Sequence, residues 1–170
     1  MKTIDEKIDS LFRADKVVHP TPETKARSYI QDYETEYRRS IADPEAFWDK
    51  VAKELDWFTP WQRVLEWNYP WAKWFVGATC NIAYNCLDRH VKTWRKNKVA
   101  VIWVGEHGEE RIFTYGELFR QVNRCANALK ALGLRKGDRV SIYLPKIPEQ
   151  IVAMLACARI GVIHSVVYSG

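Results

Sequence analysis

The sequence predicts an α/β protein. A helical, Trp-rich N-terminal region (residues 1–97) precedes the first, incomplete part of a parallel-sheet domain (residues 98–170). Three observations support this prediction. Helix start signals and apolar stripes of helical spacing recur before residue 56, and Trp residues crowd the next segment. After residue 98 the pattern changes to strands that alternate with helices, which is typical of a parallel sheet. Because the last strand is strongly apolar, we expect the sheet to continue in a longer protein.

Three start signals predict helices in the N-terminal region. Thr3 and Glu6 have the spacing of a capping box. Pro22 is predicted to open a second helix, since proline is favoured at the first helical position. Asp43 and Pro44 are predicted to cap and open a third. The stripes expected on the second and third helices are Ala26, Tyr29, Ile30, Tyr33 and Tyr37, and then Phe47, Trp48, Val51, Ala52 and Leu55, the last set buried.

Residues 56–79 contain five Trp residues together with Pro60 and Pro70. Trp with proline gives no clean helix or strand pattern, so we expect an irregular segment in which each indole N–H finds a partner. An aromatic platform that binds sugars or stacks nucleobases is the alternative, but the segment lacks the interleaved Arg and Lys of such platforms. Asn81 is then expected to cap a helix with four apolar residues turned inward: Ile82, Leu87, Val91 and Trp94.

The second half has clearer signals. Residues 99–104 and 111–113 are predicted to form a hairpin, and Thr114 with Glu117 forms a second capping box for a helix that Gly133 ends. Alternation over residues 140–144 predicts a strand. Pro148 then opens a helix that Gly161 ends, and residues 162–167 read as a buried strand. A strand, a helix and a strand in this order predict a right-handed parallel crossover.

No common phosphate loop is present, because the eight glycines form neither G-x-x-x-x-G-K nor G-x-G-x-x-G.

A zinc site is one hypothesis for Cys80, Cys86 and His90. Structural zinc sites use four ligands with more closely spaced Cys pairs, so ordinary buried thiols are the favoured interpretation. Asp88 and Arg89 could serve an active site, but an exposed helical ion pair is the commoner explanation for such neighbours. No catalytic residue and no metal ligand is assigned from spacing.

Ligands of open α/β sheets bind beyond the carboxyl ends of the strands. In this sequence those ends fall near Leu144 and at Tyr168, Ser169 and Gly170. Small residues after a strand allow backbone N–H groups to approach an anion, although an ordinary turn has the same composition. His164 stands alone in the apolar last strand, where a satisfied core histidine is the simpler interpretation.

The charge distribution narrows the partners without identifying one. Residues 1–90 carry a net charge of −2 and residues 91–170 one of +7. A basic half can attract nucleic acid, a membrane surface or a phosphorylated small molecule. The thirteen basic residues of that half are spread over helices and loops without a recognised nucleic-acid fold, so we expect no nucleic acid partner.

The longest uncharged run, residues 74–87, is too short to span a membrane. Four cysteines without a secretory signal predict a cytoplasmic protein with reduced thiols.

Several stretches together resemble the N-terminal region of AMP-forming acetyl-CoA synthetases and their short-chain relatives. They are SIADPEAFW (40–48), KWF (73–75), NIAYNCLDRH (81–90), ANALKALG (126–133), KGDRV (136–140), and MLACARIG (154–161) followed by HSVV (164–167). The resemblance runs in register over residues 28–170. It implies that residues 98–170 begin an adenylate-forming, AMP-binding domain.

The resemblance implies a ligase that uses ATP, with Mg²⁺, to activate acetate or another short carboxylate as an acyl-adenylate, and then transfers the acyl group to CoA. It also implies CoA contact by Tyr168, Ser169 and Gly170, where the family has aromatic-Gly-Gly, so the sequence departs at Ser169. The resemblance further implies that the N-terminal region packs around the larger enzyme as a structural element, and that it is a candidate surface for homo-oligomer formation. The chain is expected to be inactive alone. A non-catalytic module that binds CoA or a protein is the alternative.

Overall fold

The computed structural model describes residues 17–167, and these form two compact units that divide between Phe47 and Trp48. The capping box expected at Thr3 and Glu6 lies outside the described residues. The first unit contains helices α1 (Pro22–Ala26) and α2 (Tyr33–Ala42), and α3 (Pro44–Ala52) begins in it. Pro22 does open α1, and Pro44 opens α3, where the Asp43 carboxylate accepts a hydrogen bond from Ala46 N at 2.9 Å.

The single helix expected from Pro22 to Tyr37 was wrong, since the structure has two helices there. Asp32 caps α2 by accepting a hydrogen bond from Thr35 N at 3.1 Å, and this starts a new helix. In the connection, Ser28 Oγ donates to Ile30 O, a side-chain bond that competes with helical pairing. The expectation of a buried α3 stripe was also wrong, because only Ala52 of that helix is buried.

The Trp-rich segment is an antiparallel hairpin of β1 (Arg63–Asn68) and β2 (Trp71–Val76), where an irregular segment was expected. Pro60 precedes β1 and Pro70 lies in the connection, so neither proline interrupts a strand. Aromatic residues favour strands once the prolines are outside them. The expected indole partners exist at two positions: Trp57 Nε1 donates to Ala52 O at 2.8 Å and Trp61 Nε1 to Asp49 Oδ1 at 3.0 Å.

Three short helical turns follow Asn81, which accepts a hydrogen bond from Tyr84 N as expected of a cap. They are a π-helical turn (Tyr84–Asp88), α4 (Arg89–Val91) and a 3₁₀ turn (Trp94–Asn97). Leu87 is buried as predicted, whereas Ile82 and Trp94 are exposed. The inward stripe was wrong for those two residues because the π turn and the 3₁₀ turn change the rotation per residue that a regular helix would have.

The remaining elements follow the predicted order. They are the antiparallel hairpin β3 (Val99–Val104) and β4 (Glu110–Thr114), helix α5 (Tyr115–Ala131), strand β5 (Arg139–Ile142), helix α6 (Pro148–Ile160) and strand β6 (Ile163–Val166). β5 and β6 pair in parallel, which confirms the crossover. Gly161 ends α6 in the left-handed region at φ 74°, the conformation expected of a glycine cap.

The core lies where α5 and α6 pack on each other. One cluster joins Leu87 and Phe113 to the inner faces of both helices, and a second joins Ile142, Cys157 and Val162. The Thr114–Glu117 capping box is present, and its staple residues Phe113 and Leu118 lie in the first cluster. β6 itself is not the buried strand expected, since Ile163 and Val166 are exposed among the described residues.

Candidate functional site

The carboxyl edge of the parallel pair is the predicted ligand-binding edge. β5 and β6 run in register from Arg139 opposite Ile163 to Ile142 opposite Val166. Val167 N donates to Ile142 O at 2.9 Å, so the pairing extends to the last described residue. The predicted CoA-contact residues Tyr168, Ser169 and Gly170 lie outside the described residues. The structure describes the paired strands β5 and β6 up to Val167, the residue that precedes these three.

The loop after β5 lies at this carboxyl edge, and hydrogen bonds within the chain hold its conformation. Gln150 Nε2 donates to Leu144 O at 3.3 Å, and Ile147 N donates to Pro145 O at 2.8 Å. These bonds use groups at the start of α6 to fix the turn that leads into it. The backbone of this loop is therefore held by bonds within the chain.

Two side chains of the β3–β4 hairpin contact the loop after β5 and the start of α6. Trp103 Nε1 donates to Lys146 O at 2.7 Å in the loop after β5. The Arg111 guanidinium makes a two-bond ion pair with the Glu149 carboxylate, at 2.8 and 3.3 Å. Arg111 also holds the pKa of Glu149 below its usual range. Sequence reasoning missed these contacts because their partners lie 38 and 43 residues apart.

A second missed interaction holds the opposite end of α6. The Arg159 guanidinium makes two hydrogen bonds to the Asp88 carboxylate, at 2.6 and 3.1 Å, and both side chains are less than one-fifth exposed. Asn81 Nδ2 donates to the carbonyls of Ala158 and Arg159 in the last turn of the helix. The exposed Asp88–Arg89 pair was therefore wrong: Arg89 bonds to Glu54 O and Asn85 Oδ1 instead.

The other candidates do not assemble into a reacting group. Cys80 and Cys86 are exposed, so the expectation of buried thiols was wrong for them, whereas burial raises the pKa of Cys157. Burial, followed by the positive charge of Arg89, lowers the pKa of His90. His164 is half-buried and lines an open groove of about 530 Å³ at the amino edge of β6, not the carboxyl edge. Within residues 17–167 no three His, Cys, Asp or Glu side chains are grouped to hold a metal ion.

Comparison with known proteins shows which families this chain matches. Residues 33–86 match the family described as the acetyl-coenzyme A synthetase N-terminus, and residues 87–170 match the AMP-binding enzymes. Acetyl-coenzyme A synthetase of Chlorobaculum tepidum is 49% identical over 97% of this chain and 26% of its own length. The chain belongs to the acetyl-CoA synthetase family. The corresponding synthetase of Methanothrix thermoacetophila is 59% identical over 73% of this chain and 19% of its own length.

The solved structures agree with this membership in the acetyl-CoA synthetase family. Acetoacetyl-CoA synthetase from Streptomyces lividans superposes with a TM-score of 0.77 at 34% identity, over 88% of this chain and 26% of that one. The chain spans about a quarter of the length of the curated relatives it matches. The fold prediction, a helical Trp-rich region before the first part of an adenylate-forming domain, is confirmed. None of the helices in residues 17–167 has the length and apolar character needed to cross a bilayer.

Proposed function

We propose that this chain forms the N-terminal quarter of an AMP-forming short-chain acyl-CoA ligase and needs the remaining three quarters for catalysis. The supporting observation is the 49% identity over 97% of the chain to acetyl-coenzyme A synthetases. The proposed domain organisation is that of the sequence analysis, with a family-specific N-terminal region over residues 1–97 and the start of the AMP-binding domain over residues 98–170. We propose a cytoplasmic location.

The proposed reaction has two steps. An oxygen of acetate, or of another short carboxylate, attacks the α-phosphorus of ATP, and pyrophosphate leaves to give the acyl-adenylate. The CoA thiol, losing its proton, then attacks the acyl carbon, and AMP leaves with the bonding electron pair. We assign no Mg²⁺ ligand among residues 17–167 and route no step through the ion.

The part that this chain plays is to build and hold the carboxyl edge of the first parallel strands. The Trp103 and Arg111 contacts fix the loop after β5, and β6 directs the chain past Val167 toward Tyr168, Ser169 and Gly170. We propose that these three residues contact CoA. The family has glycine at the position of Ser169. The hydroxymethyl side chain of Ser169 would keep the ligand farther from the backbone than glycine does.

A chimera tests the proposal most directly. The N-terminal quarter of the Chlorobaculum tepidum enzyme is replaced by this chain, and acetate-dependent pyrophosphate–ATP exchange and acetyl-CoA formation are measured separately. We expect both activities, each clearly above that of a protein-free blank. Ser169→Gly in the chimera is expected to lower the KM for CoA and leave the exchange reaction, which needs no CoA, unchanged.

A matched variant separates folding from function. Asn127→Ala changes an exposed side chain on α5 and is expected to leave both activities intact. A folded chimera without exchange activity would contradict the ligase assignment. Tight CoA binding by the 170-residue chain alone, measured by calorimetry, together with an inactive chimera would favour the non-catalytic CoA-binding module instead.

A further inference from the structure

One cross-strand pair of the β3–β4 hairpin holds the segment that joins β5 to α6. Trp103 and Arg111 are directly opposed in the hairpin register. Trp103 Nε1 donates to Lys146 O at 2.7 Å, and the Arg111 guanidinium bonds to both carboxylate oxygens of Glu149. Because side chains alternate along a strand, two directly opposed residues project from the same face of the hairpin. We call Trp103 and Arg111 the hairpin pair.

The strands that carry the hairpin pair are anchored in the core. Phe113, two residues after Arg111 on β4, is 7% exposed and belongs to the core cluster of α5 and α6, and Val101 of β3 packs against that cluster. The Arg111 guanidinium lies 5.2 Å from the centre of the Phe113 ring. Tyr115 N at the start of α5 donates to Lys98 O, just before β3, at 3.0 Å. The hairpin pair therefore connects the loop after β5 to the packed part of the chain.

α6 begins without a side chain that caps it. Its N-cap residue is Ile147, which has no polar side-chain atom to accept a hydrogen bond from the first turn. The bonds from Gln150 to Leu144 O and from Ile147 N to Pro145 O are local, and they set the shape of the loop after β5. The bonds from the hairpin pair join this loop and the first turn of α6 to a distant part of the chain. They therefore fix where the loop lies relative to the core.

The loop after β5 (residues 143–147) and the residues after β6 leave the sheet side by side. β5 and β6 pair in parallel as far as Ile142 opposite Val166, and Val167 N donates to Ile142 O at 2.9 Å. Neighbouring strands lie roughly 4.8 Å apart, and ligands of open α/β sheets bind beyond their carboxyl ends. A ligand held by the residues that follow Val167 therefore lies close to the loop after β5.

We propose that the hairpin pair positions the loop after β5 for the thioester-forming step, in which CoA displaces AMP. This inference rests on the proposed function, in which Tyr168, Ser169 and Gly170 contact CoA. The hairpin pair acts through the loop, because the polar groups of its two side chains are engaged by Lys146 O and the Glu149 carboxylate. Acyl-adenylate formation needs no CoA, so a displaced loop weakens CoA binding and leaves the first step intact.

Kinetics of the chimera with the Chlorobaculum tepidum enzyme test this role. Trp103→Phe keeps an aromatic ring and removes the indole N–H, and Arg111→Met keeps an aliphatic side chain and removes the guanidinium. We expect each variant to raise the KM for CoA about three- to tenfold, because the loop spends less time in the position that CoA requires. Pyrophosphate–ATP exchange is expected to stay unchanged.

Arg38→Met is the matched control. It removes an exposed ion pair with Glu34 on α2, at 2.9 Å, so it makes the same chemical change at a site without contact to the loop after β5. We expect it to alter neither the KM for CoA nor the exchange reaction. Circular dichroism confirms that each variant is folded.

Charge exchange gives a readout that a general loss of stability would not give. Arg111→Glu and Glu149→Arg each place two like charges at this contact, and the double variant restores one charge of each sign. We expect a raised KM for CoA in both single variants and recovery of most of that loss in the double variant.

Hydrogen exchange in the 170-residue chain tests the positioning itself without any catalysis. An amide exchanges faster when its hydrogen bond opens more often. We expect the Ile147 N–H, which is bonded to Pro145 O, to exchange faster in Trp103→Phe than in the parent and at the parent rate in Arg38→Met.

The outcomes separate this inference from the proposed function. A folded chimera without pyrophosphate–ATP exchange would contradict the ligase assignment and this inference with it. An active chimera whose KM for CoA is unmoved by Trp103→Phe and Arg111→Met would overturn this inference alone. Equal losses in the exchange reaction and in CoA-dependent activity, a charge-exchanged double variant without recovery, or an unchanged Ile147 N–H in Trp103→Phe would overturn it as well.

Discussion

At the scale of single residues, the start of α5 is the best-defined local structure. Thr114 Oγ1 accepts a hydrogen bond from Glu117 N at 3.2 Å, and the Glu117 carboxylate accepts from Thr114 N at 2.8 Å. Both bonds satisfy backbone donors that a helix start would leave unpaired. The sequence predicted this pair because capping depends on residues three apart.

Thr114→Ala is expected to destabilise the chain by about 0.5–2 kcal/mol, since it removes the acceptor for Glu117 N. Urea denaturation measures the free energy of unfolding. Thr35→Ala, whose hydroxyl donates to Asp32 in the exposed first turn of α2, is the matched control and should have a smaller effect. Equal losses in the two variants would contradict a special role for the α5 cap.

Glu117 gives the cap a pH dependence. The hydrogen bonds from Thr114 hold the pKa of Glu117 below its ordinary value of 4.5, so the folded state favours the ionised carboxylate. Its stabilisation is therefore complete above about pH 4.5 and is lost as the pH falls through the lowered pKa of the folded state. We expect the difference in urea midpoint between the parent and Glu117→Gln to be largest at neutral pH and to shrink toward pH 3. A difference independent of pH would show that the charge of Glu117 contributes nothing.

At the scale of elements, the Asp88–Arg159 ion pair joins α6 to the helical turns around Asp88. Arg159→Ala leaves the Asp88 carboxylate without its cation in a site that is mostly shielded from water. It also removes the guanidinium that lies 5.2 Å from the centre of the Phe119 ring. We expect a loss of about 3 kcal/mol in the free energy of unfolding.

The double variant Asp88→Leu with Arg159→Met tests whether the loss comes from the uncompensated charge. Replacing both partners by apolar residues of similar size should recover most of the stability, because no buried charge remains. Thermal and urea denaturation of the parent, the single and the double variant complete the comparison. A double variant as unstable as Arg159→Ala would mean that packing, not charge, dominates at this contact.

Elements were predictable where their signals are local. The crossover of β5, α6 and β6 follows from Pro148, Gly161 and apolar alternation, all read within a few residues. The β1–β2 hairpin was missed because Pro70 was interpreted as a breaker of a strand when it lies between two strands. Asp88 was assigned to its neighbour Arg89, since nothing in local spacing shows a partner 71 residues away.

At the scale of the whole molecule, the candidate site is the carboxyl edge of the parallel strands, which the structure describes as far as Val167. The carboxyl edge of β5 and β6 was predictable from the order of the elements, and CoA contact by Tyr168, Ser169 and Gly170 stays a prediction. The contacts of Trp103 and Arg111 that hold this edge could not be predicted, because they depend on how a hairpin packs against a distant loop.

We expect the 170-residue chain alone to catalyse no acetate-dependent exchange of labelled pyrophosphate into ATP. The sequence contains neither common glycine-rich phosphate loop, and residues 17–167 supply one pair of parallel strands. The measurement compares the chain with a protein-free blank, and the chimera described above serves as the positive control. Exchange above the blank would contradict the expectation that the chain needs the rest of the enzyme.

The boundary between the two family matches, at residues 86 and 87, falls inside the π-helical turn Tyr84–Asp88. Leu87 on one side of it belongs to the core, and Asn81 on the other side pairs with the end of α6. A gene cut at that boundary would divide a single cooperative folding unit. Fragments for expression, and crossovers between homologous genes, should therefore avoid this position even though sequence families are delimited there.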